Sequence, residues 1–208
     1  MIDYEQRKKE SKAAAAALRR AGVQVKSVFD LVNTSTPYPG AIPVLIGLLS
    51  TVKEGWIKQG VVRALTVKEA RPVAAKPLIR EFRRETDDRL SPKWAIGNAL
   101  SVVADDSVFD DVVDLVTDRR HGKAREMLAV TLGSMKNPRA VDVLVGLLQD
   151  DEVAGHAITG LRKLKAVQAR TAIQPFLKHP KAWVRREARK ALNAIDRAAS
   201  RQARAEGH

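Results

Sequence analysis

The stretch that decides the fold is residues 172–192, AIQPFLKHPKAWVRREARKAL. Its first part places three apolar side chains on one helical face, Ile173, Phe176 and Leu177. Its second part places four on one face at the spacing of an amphipathic helix, Val184, Ala188, Ala191 and Leu192. His179 and Pro180 separate the two parts, because a proline bars the preceding residue from helical geometry. The pattern predicts two helices joined by a tight turn, and neither helix can bury its apolar face alone.

The same two-helix unit recurs along the chain. Residues 41–49, AIPVLIGLL, closely match residues 140–148, AVDVLVGLL, and both resemble the start of the first stretch. The second helices align on leucines that recur every 29 to 35 residues, namely Leu65, Leu100, Leu132, Leu161 and Leu192. A period near thirty residues with two helices per unit predicts an all-α chain, an α-solenoid of about five helix pairs.

At these residues the chain resembles the HEAT-repeat family, and in particular the short repeats of bilin-lyase-like proteins. The family pattern in the second helix is Val-Arg, then Ala, then Ala-Leu, which Val184, Arg185, Ala188, Ala191 and Leu192 match. The unit that ends at Leu65 matches this pattern only in part. The units with Lys93 and Arg125 have only a base at the arginine position and the leucine that ends the pattern. In the unit that ends at Leu161, Ala154 stands where the pattern has a basic residue. The resemblance covers roughly residues 41–195 and implies a fold more than a function.

The chain divides into three parts on this interpretation. Residues 1–40 are predicted to hold a basic N-terminal helix over 5–21, ended by Gly22, and a degenerate capping repeat. Residues 41–197 form the repeat solenoid. Residues 198–208 are a charged C-terminal tail that we expect to fray.

Composition narrows the class of protein. The chain has no cysteine, which excludes disulfide and thiol chemistry, and only 4% aromatic residues, which favours an aliphatic, alanine-rich core. No run approaches the length of a membrane span, and the N-terminus lacks the apolar region of a signal peptide. We therefore expect a cytoplasmic protein with no membrane partner.

The formal net charge of +13 is the unusual compositional feature. Basic residues dominate nearly everywhere except in residues 94–118, which contain six aspartates and no base. Asp110, Asp114 and Asp118 share one helical face and could bind a hard cation, but no glycine-containing ligand loop follows them. The simpler interpretation is a solvated outer face with aspartates at a helix start, and no metal.

A column of basic residues is the main candidate binding surface. Lys58, Lys93, Arg125 and Arg185 occupy the same position near the start of successive second helices, and Arg63, Arg186 and Arg189 lie close to it. Because second helices line the concave side of an α-solenoid, the column would form a basic groove suited to phosphates or an acidic protein surface. The alternative is structural, since in HEAT repeats this arginine commonly braces neighbouring units through an acid or a carbonyl.

The three tryptophans lie beside this column. Trp56 and Trp183 each precede a basic column residue by two positions, and Trp94 directly follows Lys93. An exposed tryptophan next to a cation can stack on a nucleic-acid base or form a cation–π contact. The alternative is ordinary packing between alanine-rich helices.

Catalysis finds little support in the sequence. The four histidines are dispersed, and no nucleophile motif, phosphate loop or zinc spacing occurs, so no cofactor is expected. The sequence predicts a non-catalytic binding scaffold whose basic concave groove holds an acidic protein. A sequence-nonspecific nucleic-acid-binding protein is the alternative. HEAT-like alkylpurine DNA glycosylases are a third, since Trp94, Arg125 and Asp105 could imitate their base pocket.

Overall fold

The computed structural model describes residues 4–85 and 92–206, and within these ranges the chain is helical with no strand. The all-α prediction is therefore confirmed. The α-helices of the described residues are α1 (Tyr4–Arg20), α2 (Ile42–Thr51), α3 (Gly55–Ala64), α4 (Ala75–Arg84), α5 (Lys93–Val103), α6 (Phe109–Thr117), α7 (Glu126–Leu132), α8 (Ala140–Gly146), α9 (Ala154–Leu164), α10 (Arg170–Ile173) and α11 (Ala182–Glu206). None of them is both long and apolar enough to cross a membrane.

Helices that are adjacent in sequence pack as pairs. Helix α2 packs on α3, α4 on α5, α6 on α7 and α8 on α9, while α11 packs on the 3₁₀ turn Gln174–Lys178 that follows α10. The chain forms two compact units, Met1–Val108 and Phe109–His208. In the first unit α3 also packs on α5, and in the second α9 packs on both α7 and α11. Second helices thus contact second helices within each unit.

The N-terminal helix α1 matches its predicted range within a residue or two. It ends where Gly22 adopts a φ of +82°, a left-handed conformation that costs glycine little. Ala14, Ala15 and Leu18 form its buried stripe, which faces α2 and α3. The rest of the helix is polar, as expected of an element that covers one end of an apolar core.

The repeat leucines form the core. Leu65, Leu100, Leu132 and Leu161 have no exposed surface and Leu192 is 8% exposed. Leu132 and Leu161 are buried as expected of leucines that end an amphipathic helix and face its neighbours. Truncating either to alanine would cost roughly 2–5 kcal/mol.

Helices α7, α9 and α11 approach closely at glycines. A Cβ on Gly133 would lie 2.4 Å from the Cα of Gly160, and a Cβ on Gly155 would lie 2.1 Å from the ring of Trp183. Non-bonded carbon atoms do not approach each other this closely, so a residue with a Cβ does not fit at either position unless its neighbours move. Gly133 thus allows the end of α7 to pack backbone against backbone on α9, and Gly155 leaves room on α9 for the Trp183 ring of α11.

Helix α11 is longer than the sequence predicts. The sequence predicts a fraying tail over 198–208, whereas the structure has helix through most of this segment, as far as Glu206. The segment consists largely of alanine and arginine, which have high helix propensity, and this outweighs its lack of apolar residues. The last two residues lie outside the described ranges.

Candidate functional site

Lys58, the first basic column residue, joins two helix pairs. It lies on α3, and its ammonium group donates to the carboxylates of Glu81 on α4 and of Glu85, the latter at 2.8 Å. Burial opposes the charged form, but the hydrogen bonds to Glu81 and Glu85 raise the pKa of Lys58 overall. Lys58 therefore acts as a brace between consecutive pairs.

Lys93, the second column residue, is inside the first unit. It is 7% exposed, and its ammonium nitrogen lies 5.6 Å from the centre of the Phe82 ring. This is the geometry of a cation–π contact. The side chain thus joins the start of α5 to the end of α4.

Arg125, the third column residue, is the largest fully buried side chain of the described residues. Its guanidinium donates to Asp150 Oδ2 and to Glu152 Oε2, both at 2.7 Å, and to the carbonyl oxygen of Gly122 at 3.0 Å. Both acids lie in the connection between α8 and α9. A planar fork with several donors suits such an arrangement better than a lysine would, and Arg125 ties the start of α7 to the next helix pair.

Arg185, the fourth column residue, holds a turn. Its Nη1 donates to the carbonyl oxygens of His179 at 2.8 Å and of Pro180 at 2.7 Å. It therefore fixes the turn between the two helices of its own pair. Lys58 and Arg125 brace neighbouring pairs as the structural alternative describes, whereas the cation–π contact of Lys93 and the hydrogen bonds of Arg185 lie within their own pairs. Binding of these residues to a partner stays a prediction.

The exposed bases are found beside the column. Arg63 on α3 and Arg186 and Arg189 on α11 are exposed. Helix α11 carries more bases at the same helical spacing, and we call the following set the α11 basic row: Arg186, Arg189, Lys190, Arg197, Arg201 and Arg204. Its ends are 18 residues apart, about 27 Å along the helix.

Most of the α11 basic row is available to a partner. Within residues 4–85 and 92–206, Arg186, Arg189, Arg197 and Arg201 have no side-chain ion pair or hydrogen bond. Arg197, Arg201 and Arg204 were not predicted as binding residues because they lie in or next to the segment that was expected to fray. Their spacing of four and three residues was the signal that could have found them.

The tryptophans divide by exposure. In the first unit Trp56 is 49% and Trp94 53% exposed, and the Trp56 ring lies 5.2 Å from that of Phe29. In the second unit Trp183 is only partly exposed, because its ring covers Gly155 and lies 5.2 Å from the ring of His156. Trp183 fits the packing alternative, while Trp56 and Trp94 have the exposure that stacking requires.

His156 was not singled out by the sequence but lies among charged groups. Its Nε2 is 3.9 Å from the Glu126 carboxylate, and no partner for its buried Nδ1 is found among the described residues. Burial lowers the pKa of His156, and Glu126 and Glu187 oppose that effect. At neutral pH the imidazole is therefore largely uncharged.

The acidic stretch 94–118 has local structural roles. Asp105 accepts from the amide of Ser107 at 3.0 Å, Asp118 accepts from the amide of Arg120 at 3.0 Å, and Asp110 forms a 2.8 Å ion pair with Arg139. In the part of the chain that the structure describes, no three acids or histidines are grouped as metal ligands would be. Asp105 and Arg125, two of the residues that could imitate a glycosylase pocket, are thus both engaged in such contacts.

Comparison with known proteins gives a likeness of fold. No family model matches the chain, and no curated protein matches it. It is similar to the crystal structure of an engineered protein from the Northeast Structural Genomics Consortium, with a TM-score of 0.51 and 20% sequence identity. The alignment covers 90% of this chain and 96% of the engineered one. At that identity the likeness concerns the fold alone.

Proposed function

We propose that the protein is a non-catalytic HEAT-like solenoid scaffold that holds an acidic protein partner on its exposed basic residues. The repeat period, the buried leucines and the packing of second helices on second helices within each unit support the architecture. Such scaffolds bind through surfaces extended over several helices.

The observation that carries the proposal is the α11 basic row. Four of its cations have no ion pair among the described residues, Arg186, Arg189, Arg197 and Arg201, and together they produce a positive potential that attracts an acidic surface and raises the association rate. The formal charge of +13 exceeds the magnitude of about 2–8 that keeps a small domain soluble.

In this proposal the column of basic residues stabilises the fold and does not contact the partner. Lys58, Lys93, Arg125 and Arg185 hold the helix pairs and turns in position, so they support the surface from within. Reversing the charge of the buried Arg125 would break its pairs with Asp150 and Glu152 and place a carboxylate in the core, so it would lower stability as well as test binding. Binding tests belong on exposed residues.

Nucleic acid is the second candidate, and two observations favour it. The α11 basic row is long and straight enough to follow several phosphates, and Trp56 and Trp94 on the first unit are exposed enough to stack on bases. Binding to a duplex would then weaken by about 0.9 log units per log unit of salt for each phosphate neutralised.

The test compares two polyanions and two variants. Binding of labelled poly-L-glutamate and of a random-sequence duplex is measured by fluorescence anisotropy over a range of salt. The triple variant Arg186→Glu, Arg189→Glu, Arg201→Glu reverses the row, and Lys8→Glu, Lys9→Glu, Lys12→Glu makes the same charge change on exposed positions of α1.

We expect poly-L-glutamate to bind the wild type and the α1 variant but not the row variant. Preferential binding of the duplex with a steep salt slope would select the second candidate. Equal binding by both variants and the wild type would remove the α11 basic row as the binding surface.

A further inference from the structure

A groove lies between the end of α9 and the later turns of α11. It has a volume of about 440 Å³ and is lined by Leu164, Lys165, Ala194, Arg197, Ala198, Arg201 and Gln202. This volume is within the range of about 300–1,000 Å³ that is usual for ligand pockets.

The groove exists because the two helices end at different places. Helix α9 stops at Leu164, where Lys165 adopts a left-handed conformation with φ of 52° and the amide of Ala166 donates to the carbonyl of Leu161 at 3.1 Å. The chain then turns away, while α11 continues to Glu206. The later turns of α11 are therefore left without a neighbour on the side that faces the end of α9.

The walls combine apolar and cationic groups. Leu164, Ala194 and Ala198 are partly buried and form the apolar floor, whereas Lys165, Arg197 and Arg201 are exposed at the rim. No acid lines the groove, and nearby Asp196 is occupied by Arg170, whose Nε lies 2.8 Å from Oδ1. The rim cations thus have no counter-charge from the lining residues.

We propose that this groove docks an acidic amphipathic helix of the partner, which deepens and rests on the function proposed above. Aliphatic side chains of the bound helix fill the floor, and its carboxylates bind the rim. Arg197 and Arg201 are four residues apart, about 6 Å along α11, which matches carboxylates one turn apart on a second helix. Arginine also offers two parallel donors to each carboxylate.

A helix suits the groove better than a nucleic-acid backbone does. A phosphate backbone presents anionic oxygens and has no apolar side chains that project far enough to cover Leu164, Ala194 and Ala198, so a duplex would leave the floor exposed to water. An amphipathic helix buries this surface and satisfies the rim at the same time, which is the usual mode of helix-in-groove recognition.

The experiment uses a labelled peptide of about 18 residues, or about five helical turns, with leucines on one face and glutamates elsewhere. A scrambled peptide of the same composition has the same charge but no apolar face. Binding of both is measured with the full chain, with Arg197→Gln, Arg201→Gln and with Ala198→Glu, which places a carboxylate on the floor. The control Lys8→Gln, Lys12→Gln makes the same charge change at exposed positions of α1, neither of which lines the groove, and circular dichroism verifies that each variant is folded.

We expect the patterned peptide to bind more tightly than the scrambled one. The groove variants should weaken it about tenfold, the loss of two charge pairs, and the control variant much less. Equal affinity for both peptides, or equal weakening by the control, would overturn the groove while leaving a general acidic-partner function in place. If neither peptide nor poly-L-glutamate binds, the proposed function fails as well, and preferential duplex binding would replace the occupant by nucleic acid.

Discussion

Gly133, the residue that caps α7, lies against the backbone of Gly160 on α9. We predict that Gly133→Ala destabilises the protein by about 1–3 kcal/mol, because the added methyl group would overlap the Gly160 backbone, at 2.4 Å from its Cα. Urea denaturation followed by circular dichroism measures the free energy of unfolding.

Gly146 provides the matched control for this substitution. It lies in α8, and a Cβ there would meet no atom within 4 Å. Gly146→Ala should therefore leave stability unchanged or raise it by up to about 1 kcal/mol, because alanine is the better helix former. Equal effects at the two positions would show that helix propensity, and not close approach, decides the outcome.

Lys165 ends α9 in a conformation that favours glycine. Its φ of 52° is left-handed, which costs a residue with a Cβ about 1–2 kcal/mol. We predict that Lys165→Gly raises the free energy of unfolding by roughly 1 kcal/mol. Lys165→Ala, which removes the same long side chain but keeps a Cβ, should give no such gain, and a gain of equal size would attribute the effect to the lost charge.

Among the elements, the connection between α8 and α9 depends on an ion pair with Arg125. The hydrogen bond from Arg125 holds the pKa of Asp150 below its ordinary value of 3.8. A depressed pKa stabilises the folded state above the unfolded value, and this contribution is lost as the pH falls through the lower, folded value. The brace is therefore strongest near neutral pH.

We predict that Asp150→Asn lowers the urea midpoint at pH 7, and that the difference from wild type shrinks as the pH falls below about 4. Asp142→Asn removes an exposed carboxylate of α8 and is the control. A difference between Asp150→Asn and wild type that stays constant down to pH 2 would mean that the ionisation of Asp150 does not contribute.

The pairing of helices could be predicted because it depends on local patterns. Apolar spacing within about thirty residues identifies each face that must be buried, and Leu132 and Leu161 are buried as that spacing requires. The partners of the basic column could not be predicted in the same way. Glu81 and Asp150 follow the cations that they bind by 23 and 25 residues, so no local pattern shows that they meet.

Of the α11 basic row, only the first residues, Arg186 and Arg189, were predicted from the sequence as binding residues. Arg186 and Arg189 stood out because they lie beside the family pattern, whereas Arg197 and Arg201 follow the last core residue, Ile195. A sequence without apolar residues gives no sign of where a helix packs, although its alanine and arginine content favours helix. The groove depends on where α9 ends, and the left-handed residue that ends it is a lysine, for which sequence gives no signal.

At the scale of the whole molecule, the net charge of +13 produces self-repulsion in the folded state. We predict that the melting temperature rises when salt increases from about 20 to 200 mM, because screening shortens the range of that repulsion to below about 10 Å. Differential scanning fluorimetry measures the shift. The variant Lys8→Glu, Lys9→Glu, Lys12→Glu lowers the net charge and should show a smaller rise, and a melting temperature that falls with salt would instead show that ion pairs such as Arg139–Asp110 dominate.

We expect the unequal burial of α11 to produce a gradient of amide hydrogen exchange along one continuous helix. Amides between Val184 and Ile195 lie over the core and exchange only when their unit opens, whereas those beyond Arg197 are protected by little more than the helix's own hydrogen bonds. A ligand seated on the later turns would slow exchange there and leave the earlier turns unchanged. Slower amide exchange at the far end of α11 would therefore show that a ligand is bound there, even though the helix itself is the same in the free and the bound protein.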